Sequence, residues 1–399
     1  MKSLSKSQLN YTILNFWFAL FIIAEFIFLV LDQAIWTIYF FNVIGIVVLF
    51  FVIFSRKNLS IKWKYGVSAL TVLKIIVFAL FASLFSRDIR LTLLILKFIL
   101  LYSLFSHFRI SAKEFIGFIN KTYIVYVVIS AIFFYLIPNT LYQISYHPQF
   151  YADYFFIKFP IFRGLQGGTP ASIDSYSAIV FVINLFNKKN NPLRKRILIL
   201  SIVCILLSLR MTPLVALSLS LLTYPIITRP LRSVMILFSG TLLFLVFVLM
   251  LFYKPSLFGM DFYELAYLAT HARSMVWVQQ ITIILENYSF VDYLFGSFSS
   301  EKFSVTAFQI TGYEKDQLID NPHNNYLLLF YQMPIPFLLV YFGFLNKLRT
   351  NFNRNWFPAI MLLSIAGFTN STIISLHNPI YIMIICFYLT NNFTSLEKK

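Results

Sequence analysis

Long apolar runs, separated by short polar and mostly basic intervals, set the pattern of this chain. Many of the runs reach the roughly 20 apolar residues needed to cross a bilayer core about 30 Å thick. They predict about twelve helical spans, near residues 11–31, 35–54, 66–85, 91–106, 117–138, 172–187, 197–209, 213–227, 233–252, 324–345, 357–375 and 377–390. Apolar and polar residues do not alternate along them, as the strands of a membrane barrel would require. The expected fold is therefore all-α, a single polytopic transmembrane domain over residues 1–399. The runs at 197–209 and 377–390 are short, and read as tilted helices or as half of a re-entrant pair. The first run, Tyr11 to Leu31, is longer than the apolar part of a cleaved leader and no small-x-small site follows it, so it is expected to stay as a span.

Charge gives the runs a direction. Most of the 32 Lys and Arg residues fall in alternate intervals: Arg56, Lys57, Arg109, Lys113, Arg194, Lys195, Arg196, Arg229, Arg232, Lys347 and Arg349 among them. Such intervals are cytoplasmic by the positive-inside rule, which puts both termini inside. Acidic residues take the other side, with Asp32, Asp88, Asp153, Asp174 and every acid from Asp261 to Asp320 outside. Two outer stretches are long, residues 139–171 and the large loop 253–323. Within the second, Leu265, Leu268, Ala272, Met275, Val276, Gln279, Ile283 and Glu286 recur at helical spacing between Phe262 and Tyr288. They predict an amphipathic helix at the outer membrane surface.

Composition changes this picture little. The chain is 59% hydrophobic and 12% charged, with a formal net charge of +17. The same charge on a soluble protein would point to nucleic acid; here it reports topology, and no nucleic-acid partner is expected. The two cysteines, Cys204 and Cys386, lie in apolar runs and read as buried thiols without a disulfide or metal framework. Glu25, Lys74 and Lys97 fall inside spans. A structural pairing of Glu25 with one lysine is favoured over a proton or ion path.

The chemistry has to come from the outer face. The chain has no phosphate-binding GxxxxGK[ST], no GxGxxG and no Asp-x-Asp pair, so no nucleotide, cofactor or metal is expected. Any substrate must arrive already activated. Four ionisable groups sit near the outer ends of spans. Arg163 lies in Phe162-Arg163-Gly164-Leu165-Gln166-Gly167-Gly168, whose glycines let backbone N–H groups approach an anion. Arg210 lies in Ser208-Leu209-Arg210-Met211, the tight connection between two runs. Arg273 lies in the surface helix, four residues before Trp277. His323 follows Asn321 and Pro322, which suit an N-cap and a first helical position. It would then sit in a first turn, where the helix dipole favours the neutral imidazole, and a neutral imidazole can act as a base. Arginine binds phosphate through a bidentate fork, so outer arginines suit a lipid diphosphate. Each residue also has a bland reading: arginines at helix ends snorkel to headgroups, and a histidine can simply hydrogen-bond in a turn.

Taken in order, these segments resemble the O-antigen polymerase and ligase superfamily. Phe162-Arg163-Gly164 before a span is similar to the family's first outer-loop arginine. Ser208-Leu209-Arg210 is similar to its serine–arginine element. Ala272-Arg273-Ser274-Met275-Val276-Trp277, with Leu294-Phe295-Gly296 after it, is similar to the element that opens the large loop. Pro322-His323-Asn324-Asn325-Tyr326-Leu327 is similar to the His-Asn-x-x-Leu signature that closes it. The likeness covers about residues 160–345. Where the family has glycines about ten residues after the His-Asn pair, this chain has Gln332-Met333-Pro334-Ile335-Pro336, a departure that favours a polymerase over a ligase.

The resemblance implies a metal-independent glycosyltransferase of the inner membrane. It would join undecaprenyl-diphosphate-linked oligosaccharides, with membrane lipids and a chain-length regulator protein as partners. By it, His323 and Arg210 are catalytic residues, and Arg163, Arg273, Asn324 and Trp277 bind substrate. Asp261, Glu264, Glu286 and Asp320 also lie outside and compete with His323 for the role of base. The alternatives are a ligase that transfers glycan to lipid A–core and, in another class, a polysaccharide flippase. A flippase should line a central cavity with ionisable groups and keep its loops short.

Overall fold

The computed structural model describes residues 6–30, 35–54, 89–108, 110–136, 151–154, 157–160, 173–188, 193–208, 211–253, 255–257, 260–262, 265–266, 273–295, 303–307, 315–319, 324–332, 334–369 and 379–391. These residues are predominantly helical. The N-terminal helices are α1 (Lys6–Val30), α2 (Ile35–Phe54), α3 (Ile89–Phe108) and α4 (Ala112–Leu136). The next four are α5 (Ile173–Phe186), α6 (Arg194–Ser208), α7 (Met211–Thr223) and α8 (Pro230–Tyr253). Each falls on an expected apolar run. The run at 66–85 lies outside the described residues.

Among the described residues, two helical stretches are by length and composition able to cross a membrane, Ala112–Ile132 of α4 and Pro230–Tyr253 of α8. They differ in surroundings. Over half of the α4 window is buried, whereas α8 buries little beyond Ser233, Leu237, Val248 and Leu251 and turns Leu242, Leu243, Leu245 and Leu249 outward.

The core is built around α5. Every residue from Ile173 to Val180 is buried, because α4, α6, α7 and the helix at 357–369 all pack on it. Side-chain bonds tie α5 to α4. The Asn120 and Asn184 carboxamides bond each other reciprocally at 3.0 and 2.8 Å. Thr122 meets the Tyr176 hydroxyl at 3.0 Å, and Tyr123 meets Ser177 at 2.7 Å. Buried polar groups are tolerated when they are paired, and this seam pairs them across 54 to 64 residues of sequence. Arg194, opening α6, donates from Nε to the Asn184 carbonyl at 2.8 Å and from Nη2 to that of Leu185 at 3.2 Å. It thereby satisfies end carbonyls of α5 that have no helical partner. The start of α4 is fixed by a reciprocal Ser111–Glu114 box. Stacking of Phe115 on Phe387 at 4.2 Å ties α4 to the last helix.

Among the described residues, three two-stranded antiparallel hairpins, which the apolar pattern did not predict, fall in the two long outer stretches. They are β1–β2 (Tyr151–Tyr154, Ile157–Pro160), β3–β4 (Ser256–Leu257, Met260–Asp261) and β5–β6 (Phe303–Ala307, Lys315–Ile319). The large outer stretch also holds α9 (Arg273–Asn287) and the short α10 (Phe290–Phe295), started by a Ser289–Asp292 box.

The apolar run expected at 324–345 holds α11 (Asn325–Gln332) and α12 (Pro334–Thr350), with residue 333 outside the described residues. Pro334 carries no N–H and its ring crowds the carbonyl four residues back, so a helical hydrogen bond is missing at this point of the run. The last helices are α13 (Phe357–Thr369) and α14 (Pro379–Thr390). α13 packs on α5, α7, α8 and α11, and so joins the core to the outer stretch.

In the N-terminal part, Lys97 of α3 is 1% exposed. Its Nζ donates to Asn42 Oδ1 of α2 at 2.9 Å and lies 5.5 Å from the centre of the Trp17 ring of α1. A Cβ at Gly45 would come within 3.1 Å of that indole, so the glycine is what lets α2 approach it. Neither the Glu25 side chain nor Lys74 is among the described residues. The Asn42 amide and the Trp17 indole face are both able to hold the Lys97 ammonium.

Candidate functional site

The described part of the site is made by α9 and α11. Along α9, Ser274, Val276, Trp277, Gln280 and Ile284 are buried. Their spacing is that of a single helix face; of the expected stripe Val276 lies on it, and Met275, Gln279 and Ile283 flank it half-buried. The buried side meets protein, α8 on one flank and α11 on the other. The helix is therefore docked on other helices through this face; the outer-surface position expected for it assigned that face to lipid. Glu286 is on the exposed side.

Trp277 is 4% exposed. Its indole lies edge-on to Phe244 at 5.6 Å and to Phe247 at 6.1 Å, both on α8. Phe244 in turn contacts Phe368 of α13 at 4.9 Å, and Phe368 stacks on Tyr326 of α11 at 4.2 Å. An aromatic series thus links Trp277 to a residue two places after Asn324. Tyr288, just past α9, donates its hydroxyl to the Tyr331 carbonyl of α11. Val276, Ile284 and Tyr331 close the contact as one apolar cluster. The segments around Arg273 and Asn324, about 50 residues apart in sequence, are neighbours in the fold.

Asn324 is buried completely and caps α11. Its Oδ1 accepts from the N–H groups of Tyr326 and Leu327, each at 3.0 Å, the pattern that defines an N-cap. The helix therefore starts at Asn325. The expected start, with Asn321 as cap and Pro322 in the first turn, is corrected by three residues. The first-turn argument for a neutral imidazole at His323 loses its basis with it, since the first turn belongs to Asn325, Tyr326 and Leu327. For Asn324, proposed as a substrate contact, the cap commits Oδ1 and leaves only Nδ2 for a ligand.

Arg273 opens α9 and is half-buried. Its charge adds to the positive end of the helix dipole, so the two together favour an anion at this end. His323, Arg210 and Arg163 lie outside the described residues. Arg210 falls between the last residue of α6, Ser208, and the first of α7, Met211. Among the competing acids, Asp261 is half-buried in β4, while Glu264 and Asp320 lie outside the described residues.

Sequence reasoning passed over one carboxylate. Asp174, in the first turn of α5, is completely buried. Its Oδ1 accepts from the Ser175 N–H at 2.7 Å. Among the described residues, Asp174 and Lys97 are the charged side chains that are buried. The available signal was an acid at the start of an apolar run directly after the glycine-rich Arg163 segment. Among the described residues, no three His, Cys, Asp or Glu side chains gather where one metal ion would touch them all.

The chain matches no protein-family model, no curated protein and no solved structure.

Proposed function

We propose that the chain is a polytopic inner-membrane glycosyltransferase, an O-antigen or surface-polysaccharide polymerase. It joins undecaprenyl-diphosphate-linked repeat units at the outer membrane face, with both termini cytoplasmic and about twelve spans. The observation that supports this reading most is the packing of α9 on α11, which brings the Arg273–Trp277 segment against the helix that Asn324 caps. Two of the four sequence elements that carry the resemblance are thereby side by side. In this reading Arg163, Arg210 and Arg273 hold the donor's diphosphate and stabilise the charge that develops on it as the glycosidic bond breaks. His323 takes the proton of the acceptor hydroxyl, or orients the group that does.

The test is complementation of a deletion strain, read on a glycan gel. His323→Ala, Arg210→Ala and Arg273→Ala are each expected to leave the protein in the membrane and to reduce the surface glycan to one repeat unit on core. Full-length ladders from His323→Ala and Arg210→Ala would sink the site assignment. Loss of every repeat unit, the single one included, would point to ligase or flippase. The flippase is the second reading, favoured by the burial of Lys97 and Asp174 within the helices, since transporters carry ionisable groups along an intramembrane path.

A further inference from the structure

Two helices in contact, α9 and α11, each hold buried carboxamides with nothing to bond to. Gln280 is completely buried, and neither its Nε2 nor its Oε1 has a hydrogen-bond partner. Asn325 is 2% exposed, and neither its Nδ2 nor its Oδ1 has one. Asn324 uses Oδ1 for the cap and has no partner at Nδ2. Three amide nitrogens and two carbonyl oxygens are thus left over on these two helices.

Their placement follows from the helices. Gln280 is one turn after Val276 and one turn before Ile284, so the three share a face. Val276 and Ile284 pack in one cluster with Tyr331, which turns this face of α9 to α11. Asn324 and Asn325 open α11 itself. Native proteins keep few buried polar atoms unpaired, and each that remains requires an explanation such as a ligand. The fold is able to pair carboxamides when they serve only structure, as Asn120 and Asn184 demonstrate.

The chemistry of the leftover groups selects the ligand class. A carboxamide offers a donor and an acceptor side by side and carries no charge. Neighbouring hydroxyls of a sugar ring both donate and accept, and answer such groups in kind. The ionised diphosphate of a lipid carrier only accepts, and would face the two carbonyl oxygens without a proton to offer them.

We propose that Gln280, Asn324 and Asn325 form a subsite for a neutral, hydroxyl-rich sugar ring. The proposal rests on the glycosyl-transfer reading and narrows it: the sugar of the incoming repeat unit is held by uncharged amides on α9 and α11, and the arginines serve the diphosphate. Recognition there is by hydroxyl pattern, so the site discriminates between sugars that differ in one hydroxyl, because a missing hydroxyl leaves a buried amide unpaired.

The test uses the purified full-length protein in lipid nanodiscs. The probes are the methyl glycosides of glucose, galactose, rhamnose and N-acetylglucosamine, with inorganic phosphate as the anion arm, read by saturation-transfer NMR and thermal unfolding. At least one glycoside is expected to bind the wild type. Gln280→Met and Asn325→Leu should each weaken that binding by about tenfold or more and raise the unfolding temperature, since apolar chains of similar size remove the unpaired groups. Asn324→Ser, which retains a capping oxygen and loses Nδ2, should weaken binding without unfolding the protein. Binding of no glycoside, binding of phosphate alone, or unchanged glycoside binding in all three variants would overturn the subsite. So would stabilised variants of a wild type that binds no sugar, which would mark an amide cluster hydrated by water. Glycoside binding combined with loss of every repeat unit in the deletion strain, the single one included, would keep the subsite and remove the polymerase reading. The reverse pattern would do the opposite.

Discussion

The α4–α5 seam and the α9–α11 face use the same side chains to opposite ends. Both bury asparagine or glutamine inside a largely apolar protein. At the seam, Asn120 and Asn184 exchange bonds, and Asn184 sends its remaining donor to the Val180 carbonyl at 2.8 Å. On the other face, Gln280 and Asn325 are as deeply buried and bond to nothing. Residue type and burial therefore do not separate structure from function in this chain. The separation comes from whether a side chain finds its partner within the fold.

The comparison can be pressed at three points. The largest expected effect is at Trp277, whose indole holds the open face against Phe244 and Phe247. Trp277→Ala should cost about 3–5 kcal/mol in denaturant unfolding, and Trp277→Phe clearly less. Equal losses from the two would mean the ring contacts do not hold α9 in place. Next is the closed seam. Asn120→Leu should cost about 1–3 kcal/mol by stranding the amide of Asn184, and adding Asn184→Leu should recover much of it. A double variant as unstable as the sum of the singles would show the pair is not coupled, and the contrast with the open face would fail. The smallest effect is at the cap. Asn324→Ala should cost about 1 kcal/mol, and Asn324→Asp should restore it while lacking the amide donor. Unchanged stability in Asn324→Ala, measured by thermal unfolding, would remove the capping role.

Hydropathy made the helices legible because an apolar run long enough to be a helix is a local property of the chain. The positions of α1, α2 and α8 follow their runs closely for that reason. What failed was punctuation and depth. Gln332-Met333-Pro334-Ile335-Pro336 was weighed for its lack of glycines, although its two prolines remove backbone donors inside the run. Asn321 and Asn324 both precede an apolar stretch, and local preference alone chose the one followed by proline. The cap was decided by where Tyr326 and Leu327 enter the packed helix. Val276 of the expected stripe on α9 is buried, but Trp277, Gln280 and Ile284 were missed because the buried side is set by α8 and α11, which lie far off in sequence. Gln280 passed unnoticed, and Asp174 counted only toward topology, for the same reason: their burial is made by several helices at once.

The outward-facing helices also differ in length. α7 has 13 residues, about 20 Å of helix, and turns Val215, Leu219 and Leu222 outward. α8, which follows it, has 24 residues, about 36 Å, and turns Leu242, Leu243 and Leu249 outward. In the proposed membrane setting these lengths bracket a hydrocarbon layer of about 30 Å. The longer helix has to tilt, and the shorter one draws the leaflets together beside it. In that setting, acyl-chain length would bear on the tilt of α8. Since α8 carries Phe244 and Phe247 against Trp277, such a tilt would shift the packing beneath the candidate site.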